Sequence, residues 1–347
     1  MKNVYVVGID LGTSNCALAL AGPESLDILE IPQVSGEGRV GAHPTFASAI
    51  YFPHEGQFPP GSLRLPWSEG EERMIVGAFA REMGALAPDR LITSAKSWLC
   101  QRGSDPRKAV LPWGSQSVEH KLSAVEASRR LLEHLRHAST EACRALDARC
   151  EPASTRVVLT VPASFDEAAR TMTARAAAEA GWGEDVVLLE EPQAAFYSWV
   201  ADTGARWRTQ VSAGELILVC DVGGGTTDFS LIAVTERDGN LELERISVGR
   251  HVLLGGDNMD LALAFALRAQ LEQEGKSLAD RQFLGLVHSS RKAKESLFEN
   301  AELDEVPVSV AARGTGLFEG TRATRLNRHL LETVIIDGFF PLTGITD

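Results

Sequence analysis

The stretch VGIDLGTSNCALAL, residues 7–20, and the stretch LVCDVGGGTTDFSLIAV, residues 218–234, share one plan. In each, a hydrophobic strand carries one acid, Asp10 or Asp221, into a turn of small residues that opens a second strand. Glycines let backbone N–H groups approach an anion, and Mg²⁺ prefers oxygen ligands such as carboxylates. The repeated plan therefore predicts two similar lobes that clamp a magnesium nucleotide between them.

The two turns differ in how strongly they indicate a phosphate site. The turn DLGTSN has a single glycine and is also common in purely structural hairpins. The turn DVGGGTTD is the stronger signal, because each glycine inside a strand hairpin costs roughly 1 kcal/mol in backbone entropy. The candidate phosphate-binding residues of the two turns are Gly12, Thr13, Ser14, Gly223, Gly224, Gly225 and Thr226.

The composition is that of a two-domain protein with ordinary cores. The chain has 347 residues, 44% of them hydrophobic, and a net charge of −13. This acidic balance argues against nucleic acid and against a membrane surface as partners. No apolar run approaches the length of a membrane span, and the N-terminus enters a strand almost at once. We therefore expect a cytoplasmic protein without a signal peptide.

The cysteines and histidines do not form a metal-binding pattern. The cysteines are scattered without a C-x-x-C motif, so we expect reduced and mostly buried thiols at Cys16, Cys100, Cys143, Cys150 and Cys220. An amphipathic helix predicted over residues 123–148 carries His134 and His137. Because no third ligand lies nearby in sequence, we expect both histidines on a solvated helix face.

Two strands of the first half lead into helices. After the strand TRVVLTVPASF, Ser164 and Glu167 predict a capping box, and Gly181 predicts the end of that helix. The strand VVLLEEP places Glu191 at a strand–helix junction, with Pro192 in the first helical turn. An acid at that position can also simply favour the helix dipole.

A further glycine pair precedes a helix in the second half. LLGGDNMD places Gly255 and Gly256 before a helix start that Asn258 or Asp257 can cap. Free N–H groups there can bind phosphate, although a helix-opening turn without a ligand has the same pattern. Additional helices are predicted over residues 280–300 and over RLNRHLLETVIIDGFF, residues 325–340.

The ordered set of motifs resembles one known family. DLGTSN, TVPASF followed by Arg170, EEPQAA, DVGGGTTD and LLGGDNMD are similar, in order and separation, to the nucleotide-binding domain of the seventy-kilodalton heat-shock (DnaK) chaperones. The resemblance covers nearly the whole chain. It implies an α/β, two-lobed actin-like ATPase fold, in which duplicated ribonuclease-H-like lobes of mixed sheets and flanking helices enclose a nucleotide cleft.

The resemblance also implies a division of the chain. The first lobe would be residues 1–200, with a core of 1–37 and 116–200 and a loop-rich inserted excursion at 38–115. The second lobe would be residues 201–347, with a core of 201–235, an inserted helical and β subdomain at 236–318 and an incomplete return to the core at 319–347. Since the Gly-Gly-x-Thr-Arg turn of the family and its peptide-binding domain are not in the sequence, we interpret the chain as a fragment.

The family assigns roles to particular positions. Asp10 and Asp221 would hold Mg²⁺ through its waters, and Gly255 and Gly256 would join the two turns in binding phosphate. Lys96, in RLITSAKSWL, would reach the transferred phosphoryl group. Glu191 would position or deprotonate the attacking water. Thr226 would orient the γ-phosphate, and Asp228 would be a second acid near the ion.

Two other sets of residues carry implied roles. Pro162 and Arg170 match a relay between the nucleotide cleft and an attached peptide-binding domain. Lys294 matches the helix that binds the nucleoside, but Arg291 and Glu295 exchange the acid and the base of the family, and Phe298 replaces its serine. An Arg291–Glu295 pair four residues apart can still form on this helix.

The resulting expectation is an ATPase (ATP and water to ADP and phosphate) with ATP/ADP and Mg²⁺ as ligands. Nucleotide state would control lobe closure, and co-chaperones of the J-domain and nucleotide-exchange classes and unfolded client peptides would be partners. Three alternatives stay open: a small-molecule kinase of the same superfold, a filament-forming actin relative and a nucleotide sensor with little turnover.

Overall fold

A computed structural model describes residues 5–22, 25–101, 103–146, 155–249, 252, 254–310 and 321–344. The strands of the first lobe are β1 (Val6–Leu11), β2 (Asn15–Ala21), β3 (Leu26–Ile28), β4 (Ile31–Gly36), β5 (Arg39–His43), β6 (Phe46–Ala47), β7 (Ala49–Tyr51), β8 (Ile75–Val76), β9 (Leu91–Thr93), β10 (Arg156–Val161) and β11 (Val187–Glu190). Its helices are α1 (Ala78–Leu86), α2 (Ala124–Leu146), α3 (Glu167–Ala177) and α4 (Glu191–Thr203). Short 3₁₀ turns lie at Pro88–Arg90 and Ala95–Leu99, and a π turn lies at Ala178–Trp182.

The second lobe begins with a 3₁₀ turn at Gly204–Arg206. Its elements are α5 (Trp207–Gln210), β12 (Leu216–Val222), β13 (Thr227–Arg237), β14 (Asn240–Val248), α6 (Gly256–Gln273), α7 (Asp280–Glu299), β15 (Glu305–Val310), β16 (Arg322–Asn327), α8 (Arg328–Glu332) and a π turn at Thr333–Asp337. No helix in the described part of the chain is both long enough and apolar enough to cross a membrane.

The first sheet places three strand ends at one edge. Its order is β11-β10-β1-β2-β3, with β6 also paired to β2; β1 and β2 form an antiparallel hairpin, whereas β10 and β11 run parallel to β1. One face of β1 is buried against helices α2 and α3, and Leu132 and Leu135 of α2 are completely shielded. Since parallel strands end at the same edge, Asp10 near the end of β1 and Glu190 at the end of β11 lie on the same side of the sheet.

The excursion is more regular than its loop-rich sequence predicts. Strands β7, β8 and β9 form a small sheet in the order β8-β7-β9, and α1 packs on it. Tyr51 and Phe79 belong to a separate apolar core under this helix. The prolines fall mostly outside these elements, which is why short strands survive between them.

The second sheet repeats the hairpin plan of the first. β12 and β13 pair antiparallel, with Asp221 opposite Asp228, and β14 continues the sheet. The predicted duplication of a strand–acid–turn–strand unit is therefore confirmed. Unlike β1, however, β12 has no strand on its other edge within the described ranges, and its residues Leu216, Leu218 and Val222 are exposed.

A second core lies in the helical part of the second lobe. Helices α6 and α7 pack with the β15–β16 hairpin, and Leu331 of α8 and Ile335 of the following turn are buried in the same cluster. Residues 322–337 therefore pack with the helical subdomain, whereas we predicted that 319–347 leads back to the sheet. The expected helix over 325–340 is also wrong at its start, because residues 325–327 belong to β16.

Several local predictions can be compared directly with the structure. Helices α2 and α7 and the position of Pro192 in the first turn of a helix are confirmed, and Gly181, with φ 87°, breaks the π turn that continues α3. The capping box is wrong: Asp166 caps α3 by accepting from Ala169 N at 2.8 Å. Ser164 Oγ is buried without a hydrogen-bond partner in the described structure.

The expectation of a solvated histidine pair is wrong for His134. Its ring is 5% exposed, stacks on Phe46 at 4.3 Å and donates from Nε2 to the carbonyl of Pro32 at 2.9 Å. Burial lowers the pKa of His134 to about 4, so it is a neutral core residue. Among the thiols, Cys16 and Cys143 are buried as expected and Cys220 is exposed, while Cys150 lies outside the described residues.

Candidate nucleotide cleft

The two glycine turns are in direct contact with each other. A Cβ atom at Gly224 would lie 2.2 Å from Ser14 Oγ, and one at Gly225 would lie 2.7 Å from Ser97 Oγ. Within the first turn, a Cβ at Gly12 would lie 2.1 Å from the carbonyl oxygen of Asn15. Gly12 is required because the backbone of Asn15 approaches it too closely for a Cβ atom, whereas Gly224 and Gly225 leave room for the side chains of Ser14 and Ser97. The structure therefore brings the two predicted turns together, and the phosphate-binding roles of their residues stay predictions.

The predicted acids converge beside the turns. Thr160 Oγ1 donates to Asp10 Oδ1 at 2.7 Å, and Thr226 Oγ1 donates to Asp228 Oδ2 at 3.3 Å. Burial raises the pKa of Asp221, and the neighbouring carboxylates of Asp228 and Asp10 raise it further. The cleft thus concentrates negative charge from both lobes at one place.

Lys96 and Glu191, 95 residues apart, form an ion pair in this cleft. The side chain of Lys96 is 6% exposed and that of Glu191 is 19% exposed. Burial raises the pKa of Glu191, while the Lys96 ammonium acts in the opposite direction. The lysine lies in the 3₁₀ turn Ala95–Leu99, directly after Ser94, whose φ of 54° is left-handed. The excursion therefore places the lysine beside Glu191, and its implied role at the transferred phosphoryl group stays a prediction.

The glycine pair at the start of α6 does not present free amides. Gly255 N donates to Asn258 Oδ1 at 3.0 Å, Gly256 N donates to Gly223 O at 3.0 Å, and Asp257 N donates to Gly224 O at 2.7 Å. The expectation of free N–H groups at Gly255 and Gly256 is therefore wrong in this conformation. Their bonds instead fasten the helix start to the glycine turn of the second sheet.

The nucleoside helix makes contacts that its sequence did not predict. Arg291 pairs with Asp257 and, at 2.5 Å, with Asp260, and Lys294 pairs with Asp260 at 2.6 Å. The spacing allowed an Arg291–Glu295 pair, but Arg291 is drawn to α6 because Asp260 is 1% exposed and requires cations beside it. Asp257 also accepts from Ser94 Oγ at 2.5 Å and from Ser14 Oγ at 3.4 Å. It thereby links the second lobe to the first, a role its sequence did not signal.

The predicted relay residues lie behind the acids. Pro162 is buried after β10, and Arg170 Nη2 donates to Glu190 Oε1 at 2.9 Å. Glu190 directly precedes Glu191 in the chain. The ion pair of Arg170 therefore lies one residue away from the acid that pairs with Lys96. Sequence reasoning missed Glu190, because its partners are set only by the folded chain.

The donor set fits a hydrated divalent cation. The pKa of Asp221 is raised first by burial and further by repulsion from the carboxylates of Asp228 and Asp10 beside it. A hard cation would relieve this repulsion, and Mg²⁺ keeps several waters beside few carboxylates. In the ranges that the structure describes, no group of three His, Cys, Asp or Glu side chains is arranged to hold a metal ion directly.

Two hairpins of one plan, helices packed on the sheets and acids of both sheets brought together beside the glycine turns define a two-lobed protein of the actin-like ATPase fold. The family model described as Hsp70 protein matches residues 6–337. The chain is 32% identical over 310 residues to chaperone protein HscA of Shigella boydii and of Escherichia coli, and 30% identical over 312 residues to an HscA homologue of Shewanella frigidimarina. These matches cover 88% of this chain and 43% of each relative, so the chain spans less than half their length. The chain belongs to the Hsp70 family of ATP-binding chaperones.

Proposed function

We propose that this chain binds ATP with Mg²⁺ in the cleft and hydrolyses it to ADP and phosphate. The observation that carries the proposal is the convergence of Lys96, Glu191, Asp10 and Asp221 beside two touching glycine turns. Phosphoryl transfer depends mainly on positioning and on stabilising charge, and these residues supply both. Asp10 and Asp221 would hold Mg²⁺ through waters, and bound Mg²⁺ would neutralise charge on the β- and γ-phosphates.

The residues of the chain have separate tasks in this proposal. The amides of Gly12 to Ser14 and of Gly223 to Thr226 bind phosphate oxygens from the two sides of the cleft, and Thr226 orients the γ-phosphate. Lys96 places an ammonium beside the equatorial oxygens of the transferred group. Glu191 orients the attacking water and accepts its proton at a carboxylate oxygen. Its burial excludes competing water from that carboxylate.

The amides of Gly255 and Gly256 join the phosphate site only after their present bonds to Asn258 and Gly223 break. Lys294 and Arg291 line the nucleoside side through their ion pairs with Asp260, and Glu295 lies next along the same helix. A closing of the cleft around nucleotide would thus rearrange the start of α6. The same rearrangement would carry nucleotide state to an attached peptide-binding domain, through Pro162 and Arg170.

Single-turnover hydrolysis of radiolabelled ATP by Lys96→Ala tests the proposal. The rate should fall roughly a hundredfold, as when one charge-stabilising donor is removed. The dissociation constant for ATP should change by less than about threefold, because the glycine turns remain. Lys276→Ala is the matched control, since Lys276 pairs with Glu274 after α6 and donates to the carbonyl of Ala323 in β16, away from the acids of the cleft. Unchanged hydrolysis by the Lys96 variant would contradict the assignment.

A nucleotide sensor with little turnover is the second candidate. It is favoured by the residue at position 291. The resemblance implies an acid there that contacts the nucleoside, but the chain has Arg291, which pairs with Asp257 and Asp260. Comparing ATP, ADP and GTP by calorimetry separates the two candidates: Mg²⁺-dependent binding without phosphate release identifies the sensor. Co-chaperones, client peptides and a cytoplasmic location are proposed from the family alone.

A further inference from the structure

Glu190 forms ion pairs with arginines of both lobes. Its Oε1 accepts from Arg170 Nη2 of α3 at 2.9 Å, and its Oε2 accepts from Arg245 Nη1 of β14. The side chains of Arg170, Glu190 and Arg245 are only 24%, 16% and 30% exposed. Because the three groups are partly removed from water, their attraction is stronger than that of an ordinary surface pair.

Glu190 occupies a special place in the chain. It is the last residue of β11 and the N-cap of α4, and Glu191 is the first residue of that helix. The short N-cap side chains of Asp, Asn, Ser and Thr ordinarily accept from an amide of the first helical turn, and the longer Glu is not one of these usual caps. The structure gives Glu190 no such side-chain bond, since both carboxylate oxygens face guanidinium groups. The peptide that carries Glu191 is therefore held by two arginines instead of by its own helix.

The second sheet is shaped to deliver Arg245 to this carboxylate. Between β13 and β14 the register shifts: Leu231 pairs with Ser247 and Ile232 pairs with Arg245, so Ile246 is an extra residue. Such a bulge turns neighbouring side chains in a new direction. Ile232 is 5% exposed, and Arg245 stands on the same face of the sheet as this buried partner. Helix α4 packs on β12 and β13, which brings Glu190 within reach of that face.

We propose that Glu190 is a positioning residue that holds Glu191 in its catalytic orientation only while both lobes contribute an arginine. The inference rests on the proposed ATPase function. Glu190 itself does not touch the reacting atoms. Separation of the second sheet from α4 removes Arg245, leaves Glu190 with Arg170 alone and frees the first turn of α4 to shift. The arrangement of the two lobes thereby controls the orientation of Glu191, the acid that positions the attacking water.

Glu190→Gln, Arg245→Gln and the double variant of the full chain test the inference. Glu190→Gln keeps the shape of the side chain but removes its charge, and it replaces one of the two accepting oxygens with an NH2 group that cannot accept from a guanidinium group. The matched control is Arg237→Gln, which removes an exposed pair with Glu242 elsewhere on the same hairpin. Single-turnover rates at saturating ATP and dissociation constants for ATP are measured for each variant.

Glu190→Gln and Arg245→Gln should each lower the single-turnover rate about tenfold, as expected for a misplaced catalytic group. Both should leave the ATP dissociation constant within about twofold of wild type, and the double variant should be no slower than either single variant. A rate for Glu190→Gln equal to that of Arg237→Gln overturns the inference. Additive losses in the double variant, or a proportional weakening of ATP binding, also overturn it.

A wild-type chain that does not hydrolyse ATP would contradict only the proposed function. In that case, hydrogen exchange at the amides of Ala194 and Ala195 still tests the inference. These amides close the first turn of α4 after Glu191. Their exchange should quicken about tenfold in Glu190→Gln and Arg245→Gln, which is the expected result of a less stable first turn. Arg237→Gln should exchange like wild type. Unchanged exchange in the Glu190 and Arg245 variants overturns the inference.

Discussion

His134 shows how tertiary contacts change the meaning of a single residue. Its spacing with His137 on an amphipathic helix indicated a polar face, yet Phe46 and Trp67 enclose its ring, with centroids at 4.3 and 5.2 Å. Both aromatic residues come from the excursion, far away in sequence. The helical period identified the helix α2 correctly, but it did not identify which flank of the helix the excursion would cover.

The buried imidazole makes stability depend on pH. Burial lowers the pKa of His134 from 6.5 to about 4, so the folded protein resists protonation while the unfolded chain accepts a proton below pH 6.5. The stabilisation is complete above pH 6.5 and is lost as pH falls toward 4. Between pH 7 and pH 5 the free energy of unfolding should fall by about 2 kcal/mol from this group.

Urea unfolding of wild type and His134→Gln at pH 7 and pH 5 measures this effect. Glutamine can still donate to the carbonyl of Pro32 but does not titrate. Between pH 7 and pH 5, the variant should therefore lose about 2 kcal/mol less free energy of unfolding than the wild type. Equal losses in the two proteins would contradict the prediction.

Helix α3 illustrates the limits of a motif at the level of an element. The S-x-x-E pattern at Ser164 and Glu167 predicted the right helix but the wrong cap. The helix begins two residues later than the motif predicts, so Asp166 is the N-cap and accepts from Ala169 N. Both residues are small polar capping types, and local preference hardly separates them. The fold decides between them by burying Ser164 Oγ.

Asp166→Ala should lower the free energy of unfolding by about 1 kcal/mol, since the first turn of α3 loses its side-chain acceptor. Ser164→Ala is the internal control and should be neutral or slightly stabilising, because Ser164 Oγ makes no hydrogen bond in the described structure. Denaturant titration of both variants checks the ranking. A larger loss for Ser164→Ala would show that the predicted capping box operates after all.

For the whole molecule, the most unusual surface is the face of the second sheet. Leu216 and Leu218 of β12 are 58% and 62% exposed, and Ile246 of β14 is 51% exposed. The equivalent strand of the first sheet, β1, has neighbours on both edges and buries its large apolar side chains. An apolar strand with an open edge is prone to pair with another chain.

A protein of these 347 residues alone should therefore self-associate in solution, and Leu218→Lys should increase its monomer fraction. A charge on the strand disfavours edge pairing and shields the apolar surface. Sedimentation velocity over a range of concentrations measures the fraction, with Leu86→Lys on the exposed side of α1 as control. A wild-type chain that stays monomeric at high concentration, or an equal effect of both substitutions, would contradict this prediction.

Local patterns in the chain were enough to identify the two hairpins, their acids, the helices α2 and α7 and the resemblance that led to the family. These features depend on hydrophobic period, on glycine turns and on short spacing, all of which are written in consecutive residues. Only the folded chain decided the partners of charged groups: Lys96 with Glu191, Arg291 with Asp257 and Asp260, and Glu190 with two arginines. The reason is physical. An ion pair requires two groups to lie a few ångströms apart in a partly dry site, and that distance is set by how the lobes pack and not by spacing along the chain.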